Sequence, residues 1–71
     1  MNNDTNIKTS LDFGKAIKNA RKKQKLTQMQ LAWMSGVGRR FIVDLEKGKP
    51  TCSLDKSLHV LNILGVELIT K

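Results

Sequence analysis

The residues with the most chemistry in this chain are two adjacent arginines, Arg39 and Arg40, followed by Asp44, Lys47 and Lys49. A guanidinium is a rigid fork of N–H donors that pairs at two points with a carboxylate, a phosphate or the O6/N7 edge of guanine. Two readings of the arginine pair stand: readout of base edges, or phosphate contact and solvated charge. Asp44 is an acceptor at a neighbouring position. It suits the N4 amino group of cytosine, or holds Arg40 as an i,i+4 pair. No nucleophile, base and oxyanion site occur together, so the chain is expected not to be an enzyme. The single His59 reads as a surface or half-buried residue beside leucines. The single Cys52 has no partner for an internal disulfide, and no Cys/His cluster exists. Neither a metal nor a cofactor is expected.

The charge balance narrows the partner. Thirteen Lys and Arg stand against six Asp and Glu, for a net charge of +7, and the isoelectric point is near 10.0. The distribution says more than the total. From Phe13 to Val43 there is no carboxylate, while the same window holds Lys15, Lys18, Arg21, Lys22, Lys23, Lys25, Arg39 and Arg40. A solubilising surface explains a high charge content but not the missing acids. An anionic partner explains both. A membrane surface is the alternative anion, and the first basic segment partly fits it as an amphipathic helix. The chain has no apolar run long enough to span a bilayer, and MNNDTNIKTS lacks a signal-peptide core. A cytoplasmic protein without a membrane role is expected. At 71 residues it is one small domain with a core that is marginal alone, for which oligomerisation is one remedy.

The elements that position the arginines can be read from caps and periods. Thr27 with Gln30 three residues on makes a capping-box pattern. Leu31, Ala32 and Met34 give the helix behind it a short apolar face. Ser35-Gly36-Val37-Gly38 breaks that helix, with Gly36 suited to a left-handed end. A second helix starts at about Arg39, carries Phe41, Ile42 and Leu45 at helical spacing, and stops at Gly48 and Pro50. Two short helices across a glycine turn form a helix-turn-helix, whose second helix enters the DNA major groove. Arg39 and Arg40 are then the expected base contacts, with Asp44 either a third or the i,i+4 partner of Arg40. Gln28, Lys47 and Lys49, at the helix ends, are the expected phosphate contacts, with plain solvation as the alternative.

The flanking segments read as support. Ser10 caps a helix to about Lys23, with Phe13, Ile17 and Ala20 inward and basic residues at its C-terminal end. Leu26 opens the turn into the second helix. Ser53 caps a fourth helix, Leu54 to Leu64, with Leu54, Leu58, Leu61 and Leu64 on one face, and Gly65 and Val66 close it. Trp33 with Met29 is either an exposed patch for a protein partner or a ring laid on neighbouring helices. The expected fold is all-α, a compact four-helix domain over residues 10–65. A disordered arm over 1–9 precedes it, and a short strand over 66–71 comes after it. A lone strand needs a partner for its ladder groups, and no second strand-like segment exists in the chain. Pairing with the same strand of a second copy gives a symmetric homodimer. Val66, Leu68 and Ile69 would then meet Val60 and Ile63 on the outer face of the fourth helix. A frayed tail on a dimer made by the fourth helix alone is the alternative.

The pattern TQ-x-x-LA-x-x-x-GV-x-x-x-x-I-x-x-LE-x-GK resembles the lambda-repressor-like, XRE-type helix-turn-helix family over roughly Leu11 to Gly65. The ending SLDKSLHVLNILG followed by VELIT is similar to the HipB-type antitoxins, small DNA-binding partners of HipA-like kinase toxins. The resemblance implies that Gln28 contacts phosphate and that positions 39, 40 and 44 reach base edges. It implies that Arg21 and Glu46 form an ion pair between the first and third helices. Implied partners are double-stranded DNA carrying a palindromic operator, a second copy, and a HipA-like kinase toxin. The implied function is repression of its own operon. A phage or mobile-element regulator without a toxin, or an interaction module on the same fold, are the alternatives. Three positions depart from the pattern: Gly38 where a Ser or Thr cap is usual, acidic Asp44 on the groove face, and Trp33 where a polar residue is usual.

Overall fold

Thr9 opens the first helix: its extended backbone and its Oγ1, which accepts from Asp12 N–H at 3.1 Å, make it the N-cap. The computed structural model describes residues 9–50 and 53–66. Four helices form in order, α1 (Ser10–Lys23), α2 (Gln28–Ser35), α3 (Arg39–Glu46) and α4 (Leu54–Ile63). Among the described residues there is no strand. The expected C-terminal strand, with Leu68 and Ile69, lies outside them, as does Cys52.

The core is built from one or two apolar residues per helix. Ile17, Leu31, Ile42 and Val60 are fully buried, and Ala32, Leu45, Leu61 and Leu64 nearly so. Phe13, Ala20, Leu26, Val37 and Phe41 pack around this cluster. Helix α3 rests on both α1 and α2, and α4 packs against α2. The seat of α3 on α1 is unusually close. A Cβ placed on Gly14 would stand 2.8 Å from the Glu46 carbonyl oxygen and nearer still to that of Leu45. Only a residue without a side chain lets the two backbones meet there.

The turn between α1 and α2 is reversed at Lys25, which takes the left-handed conformation with φ 59. Leu26 N–H then reaches back to the Arg21 carbonyl at 3.1 Å. A residue with a Cβ is disfavoured in that region. The turn is held instead from its far side, by half-buried Leu26 and the capped start of α2.

Four expectations are corrected. Ser10 is the first helical residue and not the cap. Met34 is half exposed and does not share the inward face of Leu31 and Ala32. Helix α4 buries Leu61 and Leu64 of the expected stripe, but Leu54 and Leu58 are exposed, and Ser57 and Val60 take the inward face in their place. Val60 is therefore core and unavailable to a dimer face. Ser57 is tolerated inside because its hydroxyl donates to the Ser53 carbonyl at 2.7 Å.

Candidate nucleic-acid interface

The two helices of the motif have well-defined starts that differ in kind. At α2 the capping box is complete: Gln30 N–H donates to Thr27 Oγ1 at 3.0 Å, and Thr27 N–H donates to Gln30 Oε1 at 2.8 Å. At α3 the N-cap is Gly38, which offers no side-chain hydrogen bond. The turn between them closes at Gly36, in the left-handed region with φ 68. Val37 N–H bonds back to the Ala32 carbonyl at 3.0 Å.

The acids are distributed by role. Helices α1 and α4 carry Asp12 and Asp55 in their first turns, where a carboxylate complements the helix dipole. Helices α2 and α3 have no acid in the first turn. The first turn of α3 instead begins with Arg39 and Arg40, both exposed. Cations at the positive end of a helix are unfavourable by about 0.3–1 kcal/mol each. An external anion at that end reverses the sign.

Behind these arginines runs a polar chain that begins in the core. Arg21 and Glu46 are both buried. Arg21 Nε donates to Glu46 Oε2 at 2.6 Å and Nη2 to Oε1 at 3.1 Å, while Nη1 donates to the Leu26 carbonyl at 2.8 Å. Gln28 Nε2 donates to Glu46 Oε1 at 3.2 Å, and Gln28 Oε1 accepts from Arg39 Nη2 at 3.3 Å. The amide orientation of Gln28 is thereby fixed by chemistry, since a carboxylate only accepts and a guanidinium only donates. Asp44 lies between Arg40 Nε at 3.5 Å and Lys49 Nζ at 3.6 Å. Lys47, the C-cap residue of α3, is exposed.

Two side-chain clusters thus flank α3: Gln28 and Arg39 are tied to Glu46, and Arg40 and Lys49 both lie beside Asp44. The link from Gln28 to Glu46 and the contact from Lys49 to Asp44 had no signal in the sequence. Neither pair sits at a helical repeat within one element. Gly14 was equally silent, since a glycine inside a helix reads locally only as a weak helix former. Trp33 is 84% exposed, which decides for an open ring over one laid on neighbouring helices. Met29, one turn earlier on the same helix, is also exposed. Ile63 and Val66 are half-buried at the end of α4. Among the described residues no group of His, Cys, Asp and Glu gathers that could hold a metal ion, and no helix is long and apolar enough to cross a membrane.

Comparison with known proteins places this geometry. The helix-turn-helix family model matches residues 17–70. An uncharacterized HTH-type transcriptional regulator, y4mF of Sinorhizobium fredii, is 52% identical over 62 residues, covering 87% of this chain and 82% of that protein. The immunity repressor protein of Bacillus phage phi105 is 36% identical over 58 residues, covering 82% of this chain and 40% of the repressor. Among solved structures, the restriction-modification controller protein C.AhdI from Aeromonas hydrophila superposes with a TM-score of 0.72 at 29% identity, over 82% of this chain and 88% of that one. A chain of the HipA-HipB-O2-O3 complex superposes with a TM-score of 0.81 at 22% identity, over 92% of each chain. At that identity the likeness is one of fold.

Proposed function

Because the chain belongs to the XRE-type, lambda-repressor-like helix-turn-helix family of DNA-binding transcriptional regulators, we propose that it is a repressor of HipB-like type, an antitoxin that represses its own operon and neutralises a kinase toxin. The observation that carries the DNA-reading part is the first turn of α3. Arg39 and Arg40 stand exposed there, without an acid in that turn, on a helix whose opposite face is pinned by Ile42, Leu45 and Glu46. In this reading Arg39 and Arg40 contact base edges, with Gln28, Lys47 and Lys49 on phosphates. The toxin part is supported by the likeness of fold to a chain of the HipA-HipB-O2-O3 complex and by exposed Trp33 beside Met29. An open Trp of this kind is a typical anchor for a protein partner.

The active species in this reading is a symmetric dimer. Two copies would present their α3 helices to half-sites roughly 34 Å apart on a palindromic operator. Two apolar surfaces are open to the second copy: exposed Leu54 and Leu58 on one side of α4, and half-buried Ile63 and Val66 at its end on another. A phage-type regulator without a toxin is the second reading, favoured by the 36% identity to the phage immunity repressor. Co-expression with the neighbouring reading frame separates the two. Capture of that product and rescue of growth support the antitoxin. A chain that binds DNA upstream of its own gene but neither binds the neighbour nor rescues growth supports the plain regulator.

A further inference from the structure

We propose that Asp44 restrains the DNA-facing surface from binding arbitrary sequence, by offsetting part of the charge of Arg40 and Lys49 until a matching site satisfies it. The proposal rests on the reading that α3 faces DNA. Helix α3 carries two carboxylates, and one of them, Glu46, is buried against Arg21. Asp44 is left as the acid on the working side of the helix, with 22% of its side chain exposed. Its Oδ1 lies 3.5 Å from Arg40 Nε and 3.6 Å from Lys49 Nζ. That oxygen is shut off from solvent, yet neither contact has the geometry of a hydrogen bond. Arg40 is 79% and Lys49 50% exposed, so these are surface pairs of little value to stability. A stabilising role does not account for the arrangement.

Its electrostatic effect on DNA does. Arg40 and Lys49 are two of the cations placed to release counterions from a duplex. With Asp44 between them, their pull on phosphate is reduced, and the carboxylate itself repels phosphate. Arbitrary DNA has nothing to offer in exchange. A site that sets a base amino group, such as cytosine N4, toward Asp44 satisfies the carboxylate and frees Arg40 for its own contact. Specificity then comes from a repulsive element that only a matching sequence relieves.

The test is a binding titration of the full chain on a short duplex of arbitrary sequence, by fluorescence anisotropy, at salt from about 50 to about 200 mM. Asp44→Asn should bind this duplex about 10-fold more tightly at the low-salt end. The one net positive charge that it adds should steepen the salt slope by about 0.9 for each protomer. Asp44→Glu, which keeps the negative charge, should tighten binding far less than Asp44→Asn. Arg40→Gln should lower the slope more in the Asp44→Asn background than in the wild type, a coupling that a loss of folding cannot produce. If Asp44→Asn binds with unchanged or weaker affinity and an unchanged slope, the restraint is overturned. If the wild type already shows no salt-dependent association, both the restraint and the DNA-facing reading fall.

Discussion

Arg39 is tied to Gln28 across the glycine turn, Nη2 to Oε1 at 3.3 Å, and Gln28 is tied in turn to the buried Glu46. The side chain at the tip of α3 is therefore oriented by a residue at the start of α2. Gln28→Ala should reduce DNA affinity and also relax base preference at the position read by Arg39. A pure phosphate contact would do only the first. Stability should fall by about 1 kcal/mol for the lost hydrogen bonds. Titrations on a matched set of single-base variants of the bound site check the split.

Arg39→Ala and Arg40→Ala should each lower affinity for the specific site by about 1–3 kcal/mol and flatten preference at one base pair. Lys47→Ala should weaken all sequences alike and reduce the salt slope by about 1. Unchanged operator affinity and preference in both arginine variants would remove α3 as the reading element.

Removing one partner of the Arg21–Glu46 pair strands the other in the core. The two side chains are only 10% and 4% exposed. Glu46→Ala should lower unfolding free energy by about 3–5 kcal/mol, measured by urea titration. A loss below that of an ordinary surface substitution would show the pair to be dispensable.

Gly14→Ala tests the seat of α3. The added methyl would meet the carbonyl oxygens of Leu45 and Glu46, which are main chain and cannot turn aside. The expected loss is about 1–3 kcal/mol, even though alanine is the better helix former. A rise in melting temperature would contradict the close approach.

The dimer proposal divides between two surfaces. Sedimentation should show a weakened dimer when residues 66–71 are deleted and when Leu58, on the exposed side of α4, is changed to Glu. If the deletion leaves the association constant untouched and Leu58→Glu abolishes it, α4 alone makes the contact. A monomeric full-length chain would end the proposal.

Local signals carried the motif itself. Thr27 and Gln30 cap each other within four residues, and Gly36 needs only its own backbone to end α2. Both are decided by near neighbours, so both are written in the sequence. The inward face of α4 is not. LDKSLHVLNIL holds two overlapping stripes that share Leu61 and Leu64, one continuing through Leu54 and Leu58 and one through Ser57 and Val60. Periodicity prefers neither. The packing against α2 chooses the second, and small Ser57 fits inside because its hydroxyl has a carbonyl one turn back. Lys25 is a similar case, a left-handed turn with no glycine to announce it. The site was legible as a set of residue types at fixed spacing. Its wiring, from Glu46 through Gln28 to Arg39, depends on distances between helices that no single stretch encodes.

The main-chain contact at Gly14 also bears on how the domain could be re-used. At that point the holder of α3 is main chain against main chain, with no rotamer to give way, and the side-chain links Arg21–Glu46–Gln28–Arg39 run from beside it to the tip of the helix. Exchanging Arg39, Arg40 and Asp44 should alter the alphabet the chain recognises while the holder stays as it is. Arg40 and Asp44 touch and would have to be exchanged as one unit, whereas Arg39, held by Gln28, could be exchanged as another.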